Sequence, residues 1–353
     1  MMKQNFIFHI LFSALLLSIL VSCQSGDSEQ SASPDWEFEA LPMEVKTDFF
    51  AKNRGANVLV DVDHWIWGLT VLKGDDGKYH GYYARWPDSL EFSAWLTHCE
   101  IAHAVADNPE GPFEFQSVVI ESRNLDGWDV NNAHNPSVCV AEGQICLYYI
   151  SNDIRDKYQG DIEEDYPDMA WFQENRWLVR NSQRINVAIA KNPAGPFDRA
   201  QQPVVEPHGN FKNIAVNPAV VYVDGQYVMI MKGDDVRHEE VHRIQFVGHA
   251  DKPKGPFTFQ DEPVYAEAQT EDAALWYDQQ RERFFMTVHV MGQPELALFT
   301  SEDSYNWQMA ENRVFMKKEI QLDDGSVWTP DRLERPFVLT DDEGKPEMLY
   351  VAV

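Results

Sequence analysis

The feature that most constrains the fold of this chain is a short turn motif that occurs three times. The pattern Asn-Pro-x-Gly-Pro-Phe, or a close variant of it, spans residues 108–113, 192–197 and 252–257. Each copy follows a stretch of alternating apolar and polar residues, which indicates a β-strand. The Pro and Gly residues force the chain to turn, and we expect the Phe side chain to pack into the layer beneath. Three copies in one chain indicate a repeat architecture.

A second repeated element is a β-hairpin, in which two strands rich in aromatic and β-branched residues flank a tight polar turn. Five copies occur, at 67–86, 136–150, 218–231, 274–289 and 336–351. Four-stranded units repeated at intervals of roughly 55 to 85 residues are typical of a β-propeller, whose blades bury their faces on one another. We therefore predict an all-β fold, a five-bladed β-propeller. A β-sandwich or two stacked domains is the alternative.

Two segments depart from the repeat. The last unit ends at Val353 after only two strands, so we expect its outer strands in 37–60, where the N-terminal part would close the ring. The stretch 161–183 is an insertion in the second blade. It carries the aromatic residues Trp171, Phe172 and Trp177. Aromatic residues in a long loop either stack on sugars or pack on the body of the protein.

The N-terminus predicts export. Lys3 precedes an apolar run at 6–21, which is followed by a serine and Cys23. This pattern is typical of a bacterial lipoprotein signal, because the run is shorter than the roughly 20 apolar residues of a membrane span. We expect a lipid on Cys23 and a periplasmic or cell-surface location; an uncleaved anchor helix is the alternative. The predicted segments are a signal peptide at 1–22, a flexible tether at 23–40 and the propeller at 41–353.

The charge of the chain restricts its partners. It has 57 acidic and 29 basic residues and a formal net charge of −28. A nucleic acid would be repelled over most of such a surface. A neutral ligand fits better, and the predicted membrane contact is through the lipid on Cys23 only.

Three further cysteines, Cys99, Cys139 and Cys146, show no metal-type spacing. Cys139 and Cys146 would face each other across a hairpin that turns at Glu142-Gly143. Buried thiols are the favoured interpretation, and a disulfide is the alternative, because cross-strand disulfide geometry is demanding.

In a propeller the first strand of each blade lines the central channel, so residues just ahead of these strands gather at one mouth. They include the carboxylates Asp61, Asp63, Asp129, Glu271, Asp272 and Glu334, together with His134, Asn135, Asn217 and Arg335. Converging carboxylates suit glycosidic cleavage, in which one acid protonates the leaving oxygen and a carboxylate activates water or attacks carbon. Crowding and burial would raise the pKa of one of them into the range of an acid catalyst. Each residue alone also fits a turn-capping role.

The ordered set of motifs resembles that of five-bladed glycosidases related to glycoside hydrolase families 43 and 117. It consists of Trp65-Ile66-Trp67-Gly68, His134-Asn135-Pro136, Asn217-Pro218, Glu271-Asp272 and Glu334-Arg335-Pro336. The resemblance covers about 58–353. It implies an exo-acting, inverting hydrolase with its catalytic base on the first blade, at Asp63 or alternatively at Asp61.

The chain departs from the family 43 pattern where that family has Asp-Pro in blade two and a glutamate acid in blade three. Here those positions read Asn135-Pro136 and Asn217-Pro218. We therefore expect Glu271 to donate the proton, with Asp272 as the neighbour that tunes it. Family 117 is associated with a His near the acid position, which implies a role for His134 or His289. Core packing is the alternative for His289.

The residues expected to bind the sugar are Asn135, Asn217, Lys232, Glu334, Arg335, Trp65 and Asp129. Arg and Asn side chains supply directional hydrogen bonds to hydroxyl pairs. Trp65 and Trp67 would form a stacking floor or pack in the core. No phosphate-binding loop or zinc-spaced Cys/His set occurs in the sequence, so we expect no cofactor, although a structural cation such as calcium could lie in the channel.

Three functions remain open at this point. The first is a hydrolase that trims oligosaccharides. The second is a related phosphorylase, disfavoured by the scarcity of basic residues. The third is a glycan-binding lipoprotein that has kept the scaffold and lost the acid, because fold does not fix function.

Overall fold

This computed structural model describes residues 57–162, 166–322 and 325–353. They contain four antiparallel sheets of four strands each, in sequential order. The first sheet comprises β1 His64–Lys73, β2 Tyr79–Pro87, β3 Glu100–Ala106 and β4 Glu114–Ile120. The second comprises β5 His134–Ala141, β6 Gln144–Ser151, β7 Arg184–Ala190 and β8 Asp198–Arg199. A 3₁₀ helix at Phe92–Leu96 joins β2 to β3.

Two short helices lie between β6 and β7, α1 Met169–Glu174 and α2 Arg176–Asn181. The third sheet comprises β9 Phe211–Val223, β10 Gln226–Asp235, β11 Arg243–Ala250 and β12 Thr258–Phe259. The fourth comprises β13 Thr270–Asp278, β14 Arg283–Val290, β15 Glu295–Ser301 and β16 Gln308–Lys317. Two two-stranded sheets follow, β17 Ile320–Gln321 with β18 Val327–Trp328, and β19 Glu334–Thr340 with β20 Pro346–Ala352.

The first strands of these sheets form a closed ring. β1 contacts β5, β5 contacts β9, and β9 contacts β13. β19 lies between β13 and β1 and contacts both. The chain therefore folds as an all-β propeller with four four-stranded blades in the described part, and the hairpin β19–β20 occupies the gap between the fourth blade and the first. A complete fifth blade stays a prediction.

Three repeated joints link neighbouring sheets. At each one a tyrosine hydroxyl donates to a proline carbonyl in the Pro-Gly turn of the next sheet. The pairs are Tyr82–Pro193 at 2.8 Å, Tyr148–Pro253 at 2.9 Å and Tyr350–Pro109 at 2.5 Å. The Phe at the end of each turn packs against the same tyrosine, in the pairs Phe197–Tyr82, Phe257–Tyr148 and Phe113–Tyr350. The predicted packing of the turn Phe is thus confirmed, and the third joint ties the last strand to the first sheet.

The core lies between adjacent sheets. Cys146 and Tyr148 of the second sheet share one buried cluster with Tyr227 and Phe246 of the third. The aromatic and β-branched residues of the hairpins supply these faces because alternate side chains of a strand point to the same side. Burial of apolar area between the blades is the main favourable contribution to the fold.

The predicted signal peptide, the tether with Cys23, and most of the 37–60 segment fall outside the described residues. Within the described ranges, no helix combines the length and apolar character needed to cross a bilayer. Cys139 and Cys146 are Cα partners across the β5–β6 hairpin, yet both are free and buried. The structure therefore agrees with buried thiols rather than a disulfide.

Candidate active site

The inner strands share a backbone irregularity at one matching position. In each strand the pairing register shifts next to a residue with positive φ. These residues are Gly68 in β1, Asn135 in β5, Asn217 in β9, Asp272 in β13 and Arg335 in β19. Gly, Asn and Asp tolerate this left-handed conformation, whereas it is strained for an arginine. We call this set of five residues the channel belt, because such bulges redirect side chains and here bring them together.

The side chains of the channel belt bond to one another. Asn135 Nδ2 donates to Asn217 Oδ1 at 2.8 Å, and Asn217 Nδ2 donates to Asp272 Oδ1. The backbone N–H of Arg335 donates to Asp272 Oδ2 at 3.2 Å, and its guanidinium donates to the carbonyl of Pro136 at 3.3 Å. Four residues that are far apart in sequence thus meet around the channel, as the blade repeat predicted.

The Arg335 side chain packs against Gly68 of β1, where the absence of a side chain leaves room for it. A Cβ at Gly68 would lie 3.5 Å from the Arg335 side chain. Burial lowers the pKa of Arg335 against the opposing effect of Asp272. Because Asp272 is paired with this buried arginine, the channel belt carries no excess negative charge to hold a structural cation. Among the described residues, no group of three His, Cys, Asp or Glu side chains is arranged to hold a metal ion.

On one side of the belt the channel contains a small cavity. A cavity of about 20 Å³ there is lined mainly by apolar side chains that follow the belt residues, among them Leu69, Pro136, Pro218, Leu275 and Pro336. A volume of that size holds about one water molecule. The residues that precede the belt in their strands lie on its opposite side, at the other end of the channel. We call this end the mouth.

Glu271 is a buried carboxylate at the mouth, one residue before the belt in β13. Lys232 Nζ donates to Glu271 Oε2 at 2.8 Å, and Arg243 donates to the same oxygen at 3.0 Å. Burial alone would raise the pKa of Glu271, but the two cations outweigh it and lower the pKa to about 2. Glu271 is therefore ionised at neutral pH, which does not suit the predicted role of proton donor.

Glu334 holds the matching position in β19 and has the opposite electrostatics. Burial raises its pKa above the ordinary value of 4.5, and the nearby charges of Asp272 and Glu271 add to this effect, while Arg332 opposes it. A cavity of about 40 Å³ opens beside Glu334 and is also lined by His289 and Arg332. Of the two glutamates, Glu334 is the better proton donor.

His134 precedes the belt in β5 and is buried and neutral. Burial, together with the nearby charges of Arg335 and Lys232, lowers the pKa of His134 well below its ordinary value. Its Nδ1 lies 3.2 Å from Cys99 Sγ, and the ring stacks on Trp95 at 4.9 Å between centroids. These contacts fix the orientation of the imidazole. A neutral His134 can exchange hydrogen bonds with a ligand, but it is not a proton donor at neutral pH.

Asp63 lies away from this cluster. It is exposed, in the turn before β1, and its carbonyl accepts from the Asp88 N–H at 3.1 Å. Five residues separate it from Gly68, the belt position of β1, which corresponds to roughly 16 Å along a strand. The runner-up Asp61 accepts hydrogen bonds from Tyr83 at 2.7 Å and Arg85 at 2.8 Å. The prediction that the first blade supplies the base therefore finds no support in the arrangement of the mouth.

Asp129 does not face the mouth either. It is buried inside the second blade, where its carboxylate accepts hydrogen bonds from four side chains, Tyr149, Asn186, Arg199 and Asn124. These donors occupy its acceptor capacity, so Asp129 is a structural residue and not a sugar ligand. The sequence misplaced it because a buried acid and a channel acid look alike before a strand.

Trp65 also agrees with the packing alternative. Its Nε1–H donates to the carbonyl of Leu90 at 3.1 Å, and its ring meets Phe92 edge-on at 5.6 Å between centroids. Trp67 meets Phe92 in the same way. The three aromatic rings form one cluster beside the mouth.

The described residues of the insertion, 161–162 and 166–183, are docked on the propeller. Phe172 and Val179 are buried in a cluster with Leu96 and Val130. Trp171 packs against the same cluster, while Trp177 is exposed. The insertion leaves β6 and returns to β7 at the end of the blade where the mouth lies, so it forms part of the rim. Packing therefore accounts for Trp171 and Phe172.

Sequence reasoning missed Arg243 and assigned Glu334 to sugar binding only. Arg243 opens β11 and is paired in register with Asp234 of β10. A basic residue at the start of the third strand of its sheet was the available signal. Its effect on Glu271 depends on a contact between neighbouring sheets that no local pattern reveals.

Comparisons with known proteins agree with this fold. No model of a known protein family matches the chain, and no curated protein sequence matches it either. A family 117 glycoside hydrolase from the marine bacterium Zobellia galactanivorans is similar in structure, with a TM-score of 0.57 and 15% identity over 82% of this chain and 79% of that one. A thermostable family 43 glycoside hydrolase has a TM-score of 0.55 and 14% identity over 84% and 85%. A family 43 β-xylosidase/α-arabinofuranosidase from a compost metagenome, solved with xylotriose, has a TM-score of 0.50 and 14% identity over 86% and 87%.

At these identities the likeness establishes the fold alone. The chain shares the all-β propeller fold of these glycoside hydrolases.

Proposed function

We propose that this protein is an exo-acting glycoside hydrolase that cleaves terminal sugars from plant or algal oligosaccharides at the mouth of its channel. One observation carries the proposal. Two glutamates at matching positions of neighbouring strands, Glu271 and Glu334, have pKa values driven in opposite directions. Glycosidases obtain an acid and a base from two carboxyl groups in this way, because the surroundings of the two groups shift their pKa values in opposite directions.

The proposed roles follow from these environments. Glu334 protonates the leaving oxygen, because burial and neighbouring carboxylates favour its neutral form. Glu271 stays ionised between Lys232 and Arg243 and activates the attacking water, which gives inversion. Analysis of the anomer first released, by proton NMR, tests the stereochemistry. Asn135, Asn217 and Arg335 support this pair from the channel belt.

The solved structures with the same fold support the proposal by analogy. Their names describe glycoside hydrolases of families 43 and 117, and one was solved with xylotriose. The glutamate pair is the independent argument from this chain.

The test is hydrolysis of a panel of arabino-, xylo-, pectic and agar-type oligosaccharides, with released monosaccharide measured by anion-exchange chromatography. Glu334→Gln and Glu271→Gln should each lower turnover by roughly 10²- to 10⁴-fold. Glu302→Gln, at an exposed carboxylate paired with Arg283, is the matched control and should leave the rate unchanged. Equal rates in the wild type and both site variants would defeat the proposal.

One observation favours a second function, glycan binding without cleavage. Where family 43 has an aspartate in blade two and the acid in blade three, this chain has Asn135 and Asn217, which bond to each other at 2.8 Å and cannot supply a proton. Glycan binding across the panel with no release of sugar would support this alternative.

We further propose that the propeller has five blades and is lipid-anchored through Cys23 at the periplasmic or outer face of a bacterial membrane. The position of β19 between β13 and β1 supports a fifth blade. The apolar run before Cys23 supports the anchor. Mass spectrometry of the membrane fraction would detect an acylated N-terminal Cys23, and a soluble chain that keeps residues 1–22 would contradict the anchor.

A further inference from the structure

Trp177 on α2 is a large apolar side chain left in solvent. Among the tryptophans in the described part of the chain it alone is exposed, with 63% of its surface accessible. The insertion that carries it is anchored, because Phe172 and Val179 are buried beneath it and Gln173 donates to Glu91 at 2.9 Å. An exposed indole on an anchored element is a defined surface and not a loose loop tip.

The ring of Trp177 is held in place from one side. The guanidinium carbon of Arg180 lies 5.7 Å from the centre of the Trp177 ring system. The same guanidinium donates to Asp234 Oδ1 at 2.8 Å, and Asp234 is fully buried. A cation over one face of an indole is attractive. The arginine, fixed by a buried carboxylate, therefore orients the ring.

A continuous path of contacts links this ring to the mouth. Asp234 lies two residues from Lys232 on β10, about 7 Å along the strand. Lys232 in turn donates to Glu271 at 2.8 Å. Trp177 thus belongs to the insertion that borders the candidate active site, and its helix is tied through Asp234 to the strand that carries Lys232.

We infer that Trp177 is a stacking platform for a sugar unit of a longer glycan, beyond the terminal unit held at the mouth. An aromatic face presents a large apolar area at low entropic cost, and the apolar C–H face of a pyranose ring matches it. The indole N–H adds a donor for a hydroxyl. This inference rests on the proposed function, since it makes the substrate an oligosaccharide or polysaccharide and not a small glycoside.

The test is affinity gel electrophoresis of the purified protein in gels containing soluble arabinoxylan, pectic polysaccharide or agar-type polysaccharide. Wild type should be retarded by at least one polymer, and Trp177→Ala should bind that polymer roughly three- to tenfold more weakly. Trp177→Phe keeps an aromatic face and should retain most of the binding. Leu178→Ala, at the neighbouring exposed residue, is the matched control and should bind like wild type.

The outcomes separate this inference from the proposed function. Retardation that is equal in wild type and Trp177→Ala, or absent for wild type on every polymer, overturns the platform even if the oligosaccharide panel is cleaved. Binding that depends on Trp177 without any cleavage supports the platform and defeats the hydrolase. Analytical ultracentrifugation tests whether a second copy of the chain covers the ring instead. If the wild type is a dimer that Trp177→Ala dissociates, and the retardation by the polymer is unchanged, a second copy covers the ring and the inference is overturned.

Discussion

Two adjacent acids at the mouth have different tasks because neighbouring residues of a strand point in different directions. Asp272 accepts hydrogen bonds from Asn217 and Arg335 within the channel belt. Glu271, one residue earlier, meets Lys232 and Arg243. The contacts of Asp272 link the residues of the channel belt. The contacts of Glu271 keep its carboxylate ionised at the mouth, where a substrate would bind.

The pKa of Glu271 predicts how stability depends on pH. A pKa of about 2 lies below the ordinary 4.5, so the stabilisation is fully present above pH 4.5 and is lost as the pH falls towards 2. Glu271→Gln should reduce the free energy of unfolding at pH 7 by on the order of 2–3 kcal/mol. Urea denaturation at pH 7 and pH 3 would measure this. A difference between wild type and variant that does not narrow at pH 3 would contradict the ion pairing.

The raised pKa of Glu334 predicts the falling limb of the pH–rate profile. If Glu334 must be protonated, kcat/KM should decline as the pH rises through a value above 4.5. The residual activity of Glu334→Gln should lack this limb, because glutamine does not titrate. Rates measured from pH 3 to pH 9 on a cleaved oligosaccharide check it. An identical limb in the variant would assign the proton donor to another residue.

The insertion is the element that gives the mouth a rim, and a buried ion pair fastens it. Arg180 of α2 reaches Asp234 of β10, whose pKa it lowers against the effect of burial, with help from a hydrogen bond from Asn213. The contact joins the insertion of the second blade to the third blade. Removal of one partner of such a pair strands a buried charge.

We therefore predict that Arg180→Met lowers the free energy of unfolding by about 3 kcal/mol. The pair of Arg283 with Glu302 offers a control, because the Glu302 carboxylate is largely exposed and stays solvated when its partner is removed. Arg283→Met should cost about 1 kcal/mol or less. Chemical denaturation of both variants tests the difference, and equal small losses would mean that the insertion is not fastened by Arg180.

At the scale of the molecule, the same joint occurs at three blade boundaries. Tyr82, Tyr148 and Tyr350 each donate to the Pro-Gly turn of the following sheet. The fourth sheet has no copy of this turn in the sequence. The joint made by Tyr350 connects the end of the chain to the first sheet and so holds the ring closed.

Tyr350→Phe should lower the free energy of unfolding by about 1 kcal/mol through loss of one buried hydrogen bond. Tyr82→Phe is the matched variant at an internal joint and should cost the same amount. The double variant should lose the sum, because the two tyrosines lie on different sheets and share no hydrogen-bond partner. A neutral Tyr350→Phe beside a destabilising Tyr82→Phe would mean that the last hairpin does not close the ring.

The repeat was legible from sequence because turns and hairpins are encoded locally. The Pro-Gly turns and the alternating strands lie where the pattern placed them. The convergence of Asn135, Asn217, Asp272 and Arg335 followed from the repeat alone, since each occupies the same position in its blade. The roles of the acids could not be predicted from the repeat. Lys232 and Arg243 lower the pKa of Glu271 and keep it ionised, and both are remote from it in sequence.

The misplaced residues show the same limit. Asp63 and Asp129 precede inner strands, as the channel acids do, but strand length and the position of the bulge decide which residue reaches the mouth. In β1 the bulge falls at Gly68, four residues into the strand. A shift of that kind depends on pairing between strands and leaves no local signature.

The central claim is that sugar binds at the mouth between β13 and β19. The most direct measurement is a crystal structure of the Glu334→Gln variant soaked with a mixed pool of arabino-, xylo-, pectic and agar-type oligosaccharides. We predict a terminal sugar between Glu271 and position 334, with its glycosidic oxygen within hydrogen-bond reach of the substituted side chain. A sugar bound beside Asp63, or elsewhere on the surface with the mouth free of sugar, would contradict the account.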